Sequence, residues 1–307
     1  MKLDIDNIKT YAPVILFVYA RPAHTQKVIN ALKINILASQ TDLIVFSDAP
    51  KSESMSDSVK EVRKVLETIE GFKTIKIIER KENYGLAKSI IEGVSSVIET
   101  YGRAIILEDD IVTSKYFLSF MNEALEKYQK SKKVWHISGW NYPIENTDIG
   151  DTFFWRVMNC WGWATWQDRW QYFEKDPSRL VESWNRRKIK QFNLDGAHDF
   201  WTQVVANANG QLNTWAIFWY ATIFEKQGFC LNPTETFVKN IGIDGSGENC
   251  DDKDVYVSSV NNKYPLVFSE KIAENTIATE RIRRFYLQHK LSFITRVKYK
   301  LKRIFSL

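Results

Sequence analysis

Residues 103–112 read RAIILEDDIV, an apolar run that stops abruptly at three consecutive acids, Glu108, Asp109 and Asp110. The run from Ala104 to Leu107 suits a strand buried on both faces of a parallel sheet, which restricts the chain to α/β architectures. Open α/β sheets bind ligands at the carboxyl ends of their strands, so the acids would stand at the mouth of that crevice. Neighbouring carboxylates repel one another, and a cation among them relieves the repulsion. Hard oxygen donors suit Mn2+ or Mg2+, ions that commonly tie a protein to a diphosphate. The plainer alternative is a solvated acidic turn before the helix predicted from about Ser114, where negative charge favours a helix N-terminus.

The rest of the first half repeats one rhythm. PVILFVY (Pro13 to Tyr19) reads as a strand, His24 to Leu37 as a helix, and Leu43 to Phe46 as a strand ending in Ser47 and Asp48. Ser56 to Ile69 has helical spacing, with Val59, Val62, Val65, Leu66 and Ile69 on one face. Thr74 to Ile78 follows as a strand, Ala87 to Ile98 as a helix, then the acid-tipped strand. A helix around Tyr116 to Tyr128 and a strand at Val134 to Ser138 complete the series. Alternation of this kind predicts βαβ units in a doubly wound, mostly parallel sheet flanked by helices. Parallel strands would then bring Arg21, Asp48, Asn83, Gly85 and the acidic trio to one crevice, with Lys88 a helical turn beyond Gly85. A cation, a hydrogen-bonding acid and a metal-binding acid together describe a nucleotide-diphosphate site. Each also has an ordinary role: Asp48 as a turn cap, Arg21 as a surface ion pair, Lys88 as a solvated side chain.

Length and composition allow a substantial core in 307 residues. Three cysteines, Cys160, Cys230 and Cys250, make no close pair, so neither a disulfide framework nor zinc is expected. With no basic-then-apolar leader and no apolar stretch of membrane-spanning length, a cytoplasmic location is expected. The net charge of +5 is misleading until divided. Nine Lys and Arg and no acid lie between Arg281 and Leu307, and the other 280 residues carry 33 basic against 37 acidic side chains. The basic character belongs to the tail, and no nucleic-acid partner is implied.

All eleven tryptophans fall between Trp135 and Trp219. Indole faces support sugar C–H surfaces, so some, with Trp161 and Trp163 foremost, are candidates for an acceptor groove; the alternative is an aromatic core. Gly162 between these two indoles predicts a tight turn or a close backbone approach. The stretch Asn240 to Gly247 is glycine-rich and reads either as a loop over a diphosphate or as a surface turn. It lacks a following lysine and the strand–loop–helix setting of a P-loop, which excludes that class of ATPase. The four histidines have no zinc spacing and are expected to be structural.

The segments VILFVYARP, LIVFSDAP, ENYGLAKSIIEG, AIILEDDIVTSKYFLSFM, VWHISGWN and CWGWATW, spread over about Pro13 to Gly247, resemble GT-A glycosyltransferases. The pattern is similar to the N-acetylglucosaminyltransferase I type and to bacterial sugar transferases of like layout. The resemblance implies a Rossmann-like GT-A domain with a nucleotide-sugar-binding half (residues 1–141), an aromatic-rich acceptor half (142–280) and a basic amphipathic tail (281–307). It implies that Asp110 ligates Mn2+ or Mg2+, and that Glu108 and Asp109 hold the nucleotide sugar or the metal's water. Arg21 and Asp48 would frame base and ribose. In inverting members a carboxylate after the tryptophan-rich turn deprotonates the acceptor. The nearest match is Asp199 in HDFW, with Asp168 and Asp195 as rivals; His198 stands where the pattern has a second acid.

The implied activity is metal-dependent, inverting transfer of a sugar from a nucleotide diphospho-sugar to a hydroxyl of a surface glycan, capsule or lipopolysaccharide included. A sugar nucleotidyltransferase would usually carry a glycine- and basic-rich loop in the first βα turn, unlike Ala20-Arg21-Pro22-Ala23. A carbohydrate-binding protein would explain the tryptophans but not the acids. In the tail, Leu291, Ile294, Val297, Leu301 and Ile304 recur at helical spacing among Lys298, Lys300, Lys302 and Arg303. Such a helix either lies on an anionic membrane surface, which suits a lipid-linked acceptor at the inner face of the plasma membrane, or packs on an acidic patch of the protein.

Overall fold

The computed structural model describes residues 10–243, 255–256 and 259–289. The first half alternates as expected: β1 (Val14–Val18), α1 (Pro22–Lys33), β2 (Asp42–Ser47), α2 (Ser56–Glu67), β3 (Thr74–Glu79), α3 (Gly85–Tyr101), β4 (Arg103–Glu108), β5 (Ile111–Thr113), α4 (Phe117–Tyr128) and β6 (Val134–Ser138). The second half adds β7 (Thr152–Trp155), β8 (Trp163–Trp166), α5 (Gln167–Trp170), α6 (Pro177–Ser183), α7 (Arg186–Phe192), α8 (Trp201–Ala208), α9 (Ala216–Glu225), β9 (Phe229–Pro233) and β10 (Val238–Asn240). Eight strands form one sheet in the order β3-β2-β1-β4-β8-β6-β9-β7. Six run one way; β8 and β7 oppose them. This is the mostly parallel, helix-flanked α/β sheet expected.

Sequence explains the central strands. Val14–Val18 is buried at every position, and Ala104–Leu107 of β4 has no exposed surface. Each such aliphatic side chain contributes about 1.5–3 kcal/mol by leaving water. Helix α1 begins with Pro22, whose fixed φ suits a first helical turn. That moves its start ahead of the expected His24. Helix α3 stops at Gly102, which takes the left-handed φ of 74° that ends helices. By contrast β3 is an edge strand, largely exposed.

Strand β8 was not foreseen. Its residues WATW insert antiparallel between β4 and β6, pairing Ile106 with Trp163 and Ser138 with Trp163. Gly162 turns the chain into it with φ 63°, and a Cβ there would lie 3.0 Å from Val238 and 3.3 Å from Leu107. The close approach expected of Gly162 is what is found.

The helix over 276–289 crosses the expected boundary at Arg281. Ala278, Ile282, Phe285 and Tyr286 are buried, and Arg281 donates to the Glu145 carbonyl at 3.0 Å. Residues 281–289 therefore belong to the packed body rather than to a separable tail. The basic amphipathic stretch from Leu291 lies outside the described residues, as does Cys250. Among the described residues no helix is long and apolar enough to cross a membrane.

One charge network ties α6, α7 and α9 together. Glu225 accepts from Arg179, Lys188 and the Trp184 indole, each at 2.8 Å. Partial burial opposes its ionisation, but these donors prevail and hold its pKa down to about 2. A depressed carboxyl stabilises the fold fully above its unfolded value near 4.5, and that contribution is lost as pH falls through 2. Glu225→Gln should therefore lower the melting temperature by a few degrees at pH 7. The gap from wild type should close between about pH 4.5 and pH 2 in a calorimetric pH series. A gap independent of pH would assign the effect to packing.

Candidate active site

The ends of β1, β2 and β4 stand side by side, because the three strands are parallel neighbours. In register, Phe17 faces Glu108, so the residues just beyond both strands meet. The Tyr19 amide donates to Asp109 at 3.3 Å. Arg21, in the turn into α1, reaches across with one guanidinium nitrogen. That nitrogen bonds to Asp109 and, at 3.0 Å, to Asp110. Of the residues expected to converge, Arg21 thus meets two acids of the trio, Asp109 and Asp110.

The three acids differ in setting. Asp109 is buried and Asp110 half-buried. Desolvation first, then repulsion from Asp110 and Asp109, pushes Glu108 well above the usual carboxylate range, with Arg21 only partly offsetting it. Asp109 is also raised, by burial, against the opposing pull of Arg21. Burial works against the Arg21 charge as well, but its two partners raise its proton affinity and keep it cationic. The cluster thus holds more negative character than one guanidinium neutralises.

A strand from the second half roofs this cluster. β10 pairs antiparallel with β5, and the Ile241 amide donates to the Asp110 carbonyl at 2.9 Å. His24 on α1 lies 3.2 Å from the Ile241 carbonyl. Gly242 then passes so close that a Cβ would stand 2.4 Å from Asp110 Oδ2 and 2.9 Å from an Arg21 nitrogen. Of the glycine-rich stretch, residues 240–242 therefore lie against the acids, and 244–247 fall outside the described residues. Sequence flagged this stretch but gave no sign that it pairs with β5.

Asp48 and Asn83 also meet, and Asp48 takes up the capping bonds that its sequence position offered as one of two roles. Asp48 accepts from the amides of Ala49 (3.0 Å), Tyr84 (2.9 Å) and Gly85 (2.9 Å) and from Asn83 Nδ2 (3.2 Å). Asn83 also donates to the Ala49 carbonyl at 2.7 Å. These bonds satisfy the free amides at the start of α3 and clamp it to the end of β2. Asp48 thereby fixes the start of α3 beside the carboxyl end of β2, with its oxygens already engaged. Lys88 is half exposed; its ammonium lies over the Tyr84 ring at 3.8 Å and pairs with Glu92. It makes no contact with the acidic cluster.

The two tryptophans separate. Trp163 has no exposed surface and stacks between His136 and Trp215. A side chain without surface offers no face to a sugar, so Trp163 is corrected to a core residue. Trp161 is half-buried beside Trp140 (4.7 Å) and Tyr256 (5.6 Å). Trp140 follows β6 at the same sheet edge as the acids. The aromatic contacts continue through Tyr142 to Tyr286, whose hydroxyls bond, and on to His198 at 4.3 Å. His136 is structural as expected: it is fully buried, bonded to the Asn159 carbonyl and the Trp219 indole, and burial drops its pKa to about 3.

Asp199, beside His198, accepts from the Thr202 amide (3.2 Å) and hydroxyl (2.6 Å) and from Asn193 (3.0 Å), bracing the start of α8. Burial opposes its ionisation, but these bonds hold its carboxyl below the usual range. Of its rivals, Asp168 sits elsewhere, while Asp195 belongs to the same turn, whose Asn193 bonds Asp199. Asp168 follows β8 at the edge where β4 begins, opposite the acids, and pairs with Lys132 and Arg169. Asp195 pairs at 3.5 Å with Arg156, which leaves β7 at that same far edge.

A hard divalent cation fits the donor chemistry here. The side chains gathered here carry hard carboxylate oxygens, and burial raises the proton affinity of two of them, Glu108 and Asp109, which a nearby cation would oppose. Among the described residues no three metal-ligating side chains form a cage. A Mg2+-type site needs only one or two protein carboxylates where phosphates complete its shell, so the pair Asp109 and Asp110 is compatible with such an ion.

No family model and no curated protein matches the sequence. Among solved structures the chain is similar to a mannosyltransferase, PcManGT from Pyrobaculum calidifontis in complex with GDP-Man and Mn2+, at 13% identity and TM-score 0.41, covering 70% of each chain. It is also similar to the galactosyltransferase LgtC in complex with donor and acceptor sugar analogues, at 10% identity and TM-score 0.35, covering 69% of this chain and 70% of that one. Mouse xyloside xylosyltransferase 1 aligns at 11% identity and TM-score 0.35, over 71% of this chain and 82% of its own.

Proposed function

We propose that the protein transfers a sugar, with inversion and with Mn2+ or Mg2+, from a nucleotide diphospho-sugar to a hydroxyl of a surface glycan, free or lipid-linked. The observation that carries this reading is the acidic tip of β4 at the carboxyl edge of a parallel sheet, bridged by Arg21 and roofed by Gly242. Asp110, the most accessible oxygen donor of the bridged pair, would hold the metal, with Glu108 and Asp109 behind it. When bound, the metal supplies Lewis-acid stabilisation of the departing diphosphate. Arg21 adds a second positive charge beside it, and Asp48 and Asn83 set the crevice wall against which nucleotide would rest. The Gly242 backbone covers one side of the cluster.

Trp161 offers the acceptor a half-exposed indole face. Asp199 is the proposed base: three donors hold its oxygens in place, and the aromatic contacts from Trp161 reach its neighbour His198. One base is sufficient for an inverting displacement through an oxocarbenium-like state. Residues from 290 onward would supply an anionic-membrane contact; a truncation that tests this must spare the helix over 276–289.

The decisive experiment incubates UDP-, GDP- and dTDP-sugars with the protein, with Mn2+ or with chelator. One donor class should be hydrolysed slowly, and chelator should abolish the reaction. Nucleotide-sugar binding without any metal-dependent turnover of any donor would end the transferase reading.

A further inference from the structure

We infer that Arg21 is the resident counter-cation of the acidic cluster, and that it yields Asp110 to a divalent metal only when a diphosphate arrives to receive the guanidinium. The inference rests on the donor-site reading above and adds to it a rule for metal loading.

Three observations support it. First, one guanidinium nitrogen bridges Asp109 and Asp110, so Arg21 already stands where a cation would lie between them. Second, Gly242 packs against the bridging pair: a Cβ there would lie 2.9 Å from Arg21 and 2.4 Å from Asp110, so the backbone sits directly on the side where the guanidinium meets the carboxylate. Third, no three metal-ligating side chains come together among the described residues, so a metal entering alone would meet an incomplete shell.

Simple electrostatics then gives the order of events. Two aspartates against one arginine leave about one net negative charge for a divalent ion that must also displace a cation. A nucleoside diphosphate changes both sides of that balance. Its oxygens complete the metal's shell, and its charge gives the planar guanidinium a bidentate partner in place of the carboxylates. Metal and diphosphate thereby assist each other's binding, and the coupling is reciprocal.

The test measures Mn2+ binding by the loss of its free electron paramagnetic resonance signal, with UDP, GDP and dTDP as nucleotides, corrected for Mn2+–nucleotide complexes in solution. Wild type should bind Mn2+ weakly alone and at least about tenfold more tightly with the preferred nucleotide. Arg21→Gln should bind Mn2+ alone at least about tenfold more tightly than wild type and lose most of the nucleotide effect. Arg21→Lys keeps the charge but lacks the fork, and should gain an intermediate few-fold. It also serves if the glutamine variant fails to fold. If folded variants bind Mn2+ no more tightly than wild type, Arg21 does not compete with the metal, while the donor-site reading stands. If no protein binds Mn2+ under any condition, both fall together.

Discussion

Replacing Asp110 with alanine is expected to cut donor turnover by about 100-fold or more, with the melting temperature within a few degrees of wild type. The asymmetry follows from geometry. Asp110 is half-buried, and its backbone carbonyl, rather than its side chain, accepts from Ile241 to hold the roof strand. Arg21 would keep its bond to Asp109, so no buried charge is stranded. The effect should therefore appear in turnover, not folding. Steady-state hydrolysis with saturating Mn2+, alongside a thermal melt, separates the two. Undiminished turnover in a folded variant would refute the metal assignment.

Asp48→Ala is expected to behave in the opposite way, lowering stability by about 2–4 kcal/mol. Four donors lose their acceptor at once, three of them backbone amides, and the start of α3 is released from β2. Nucleotide affinity should fall as well, because the same helix start walls the crevice. Urea denaturation read by fluorescence, with its eleven indoles, gives the midpoint directly. Asp48→Asn should recover part of the loss, since one acceptor oxygen survives while its new amide faces Tyr84 or Gly85. A variant with normal stability but weak nucleotide binding would restore Asp48 to the ligand-contacting role first expected of it.

These two acids show what a sequence discloses and what it withholds. RAIILEDDIV was readable because a doubly buried strand must be apolar throughout, and charge at its end is then conspicuous. The alternation of strands and helices was readable for the same reason. An aspartate after a strand, however, looks alike whether it binds a ligand or caps a helix. Only the placement of α3 against β2, a contact between distant parts of the chain, separates those roles. Strand β8 was hidden because four residues are too few to establish a period, and its tryptophans carry no mark of burial. Trp161 and Trp163 are two positions apart, yet one is half-exposed and the other sealed. The Gly242 roof was half visible: glycine content marked the stretch, but pairing with β5 depends on the return of the chain from β9.

The antiparallel seat of β8 has a consequence for how the molecule can be divided. The sequence invites a cut near residue 141 between a nucleotide half and an acceptor half. Yet β8 comes from the later half and zips directly onto β4, the strand that carries the acids. A fragment ending at 141 would leave Arg103–Ile106 as a bare apolar border, a template for self-association of the kind that native sheets avoid. The acid-tipped strand is the keystone between the halves, so neither half is an autonomous module and the acidic cluster with its Gly242 roof exists only in the joined arch.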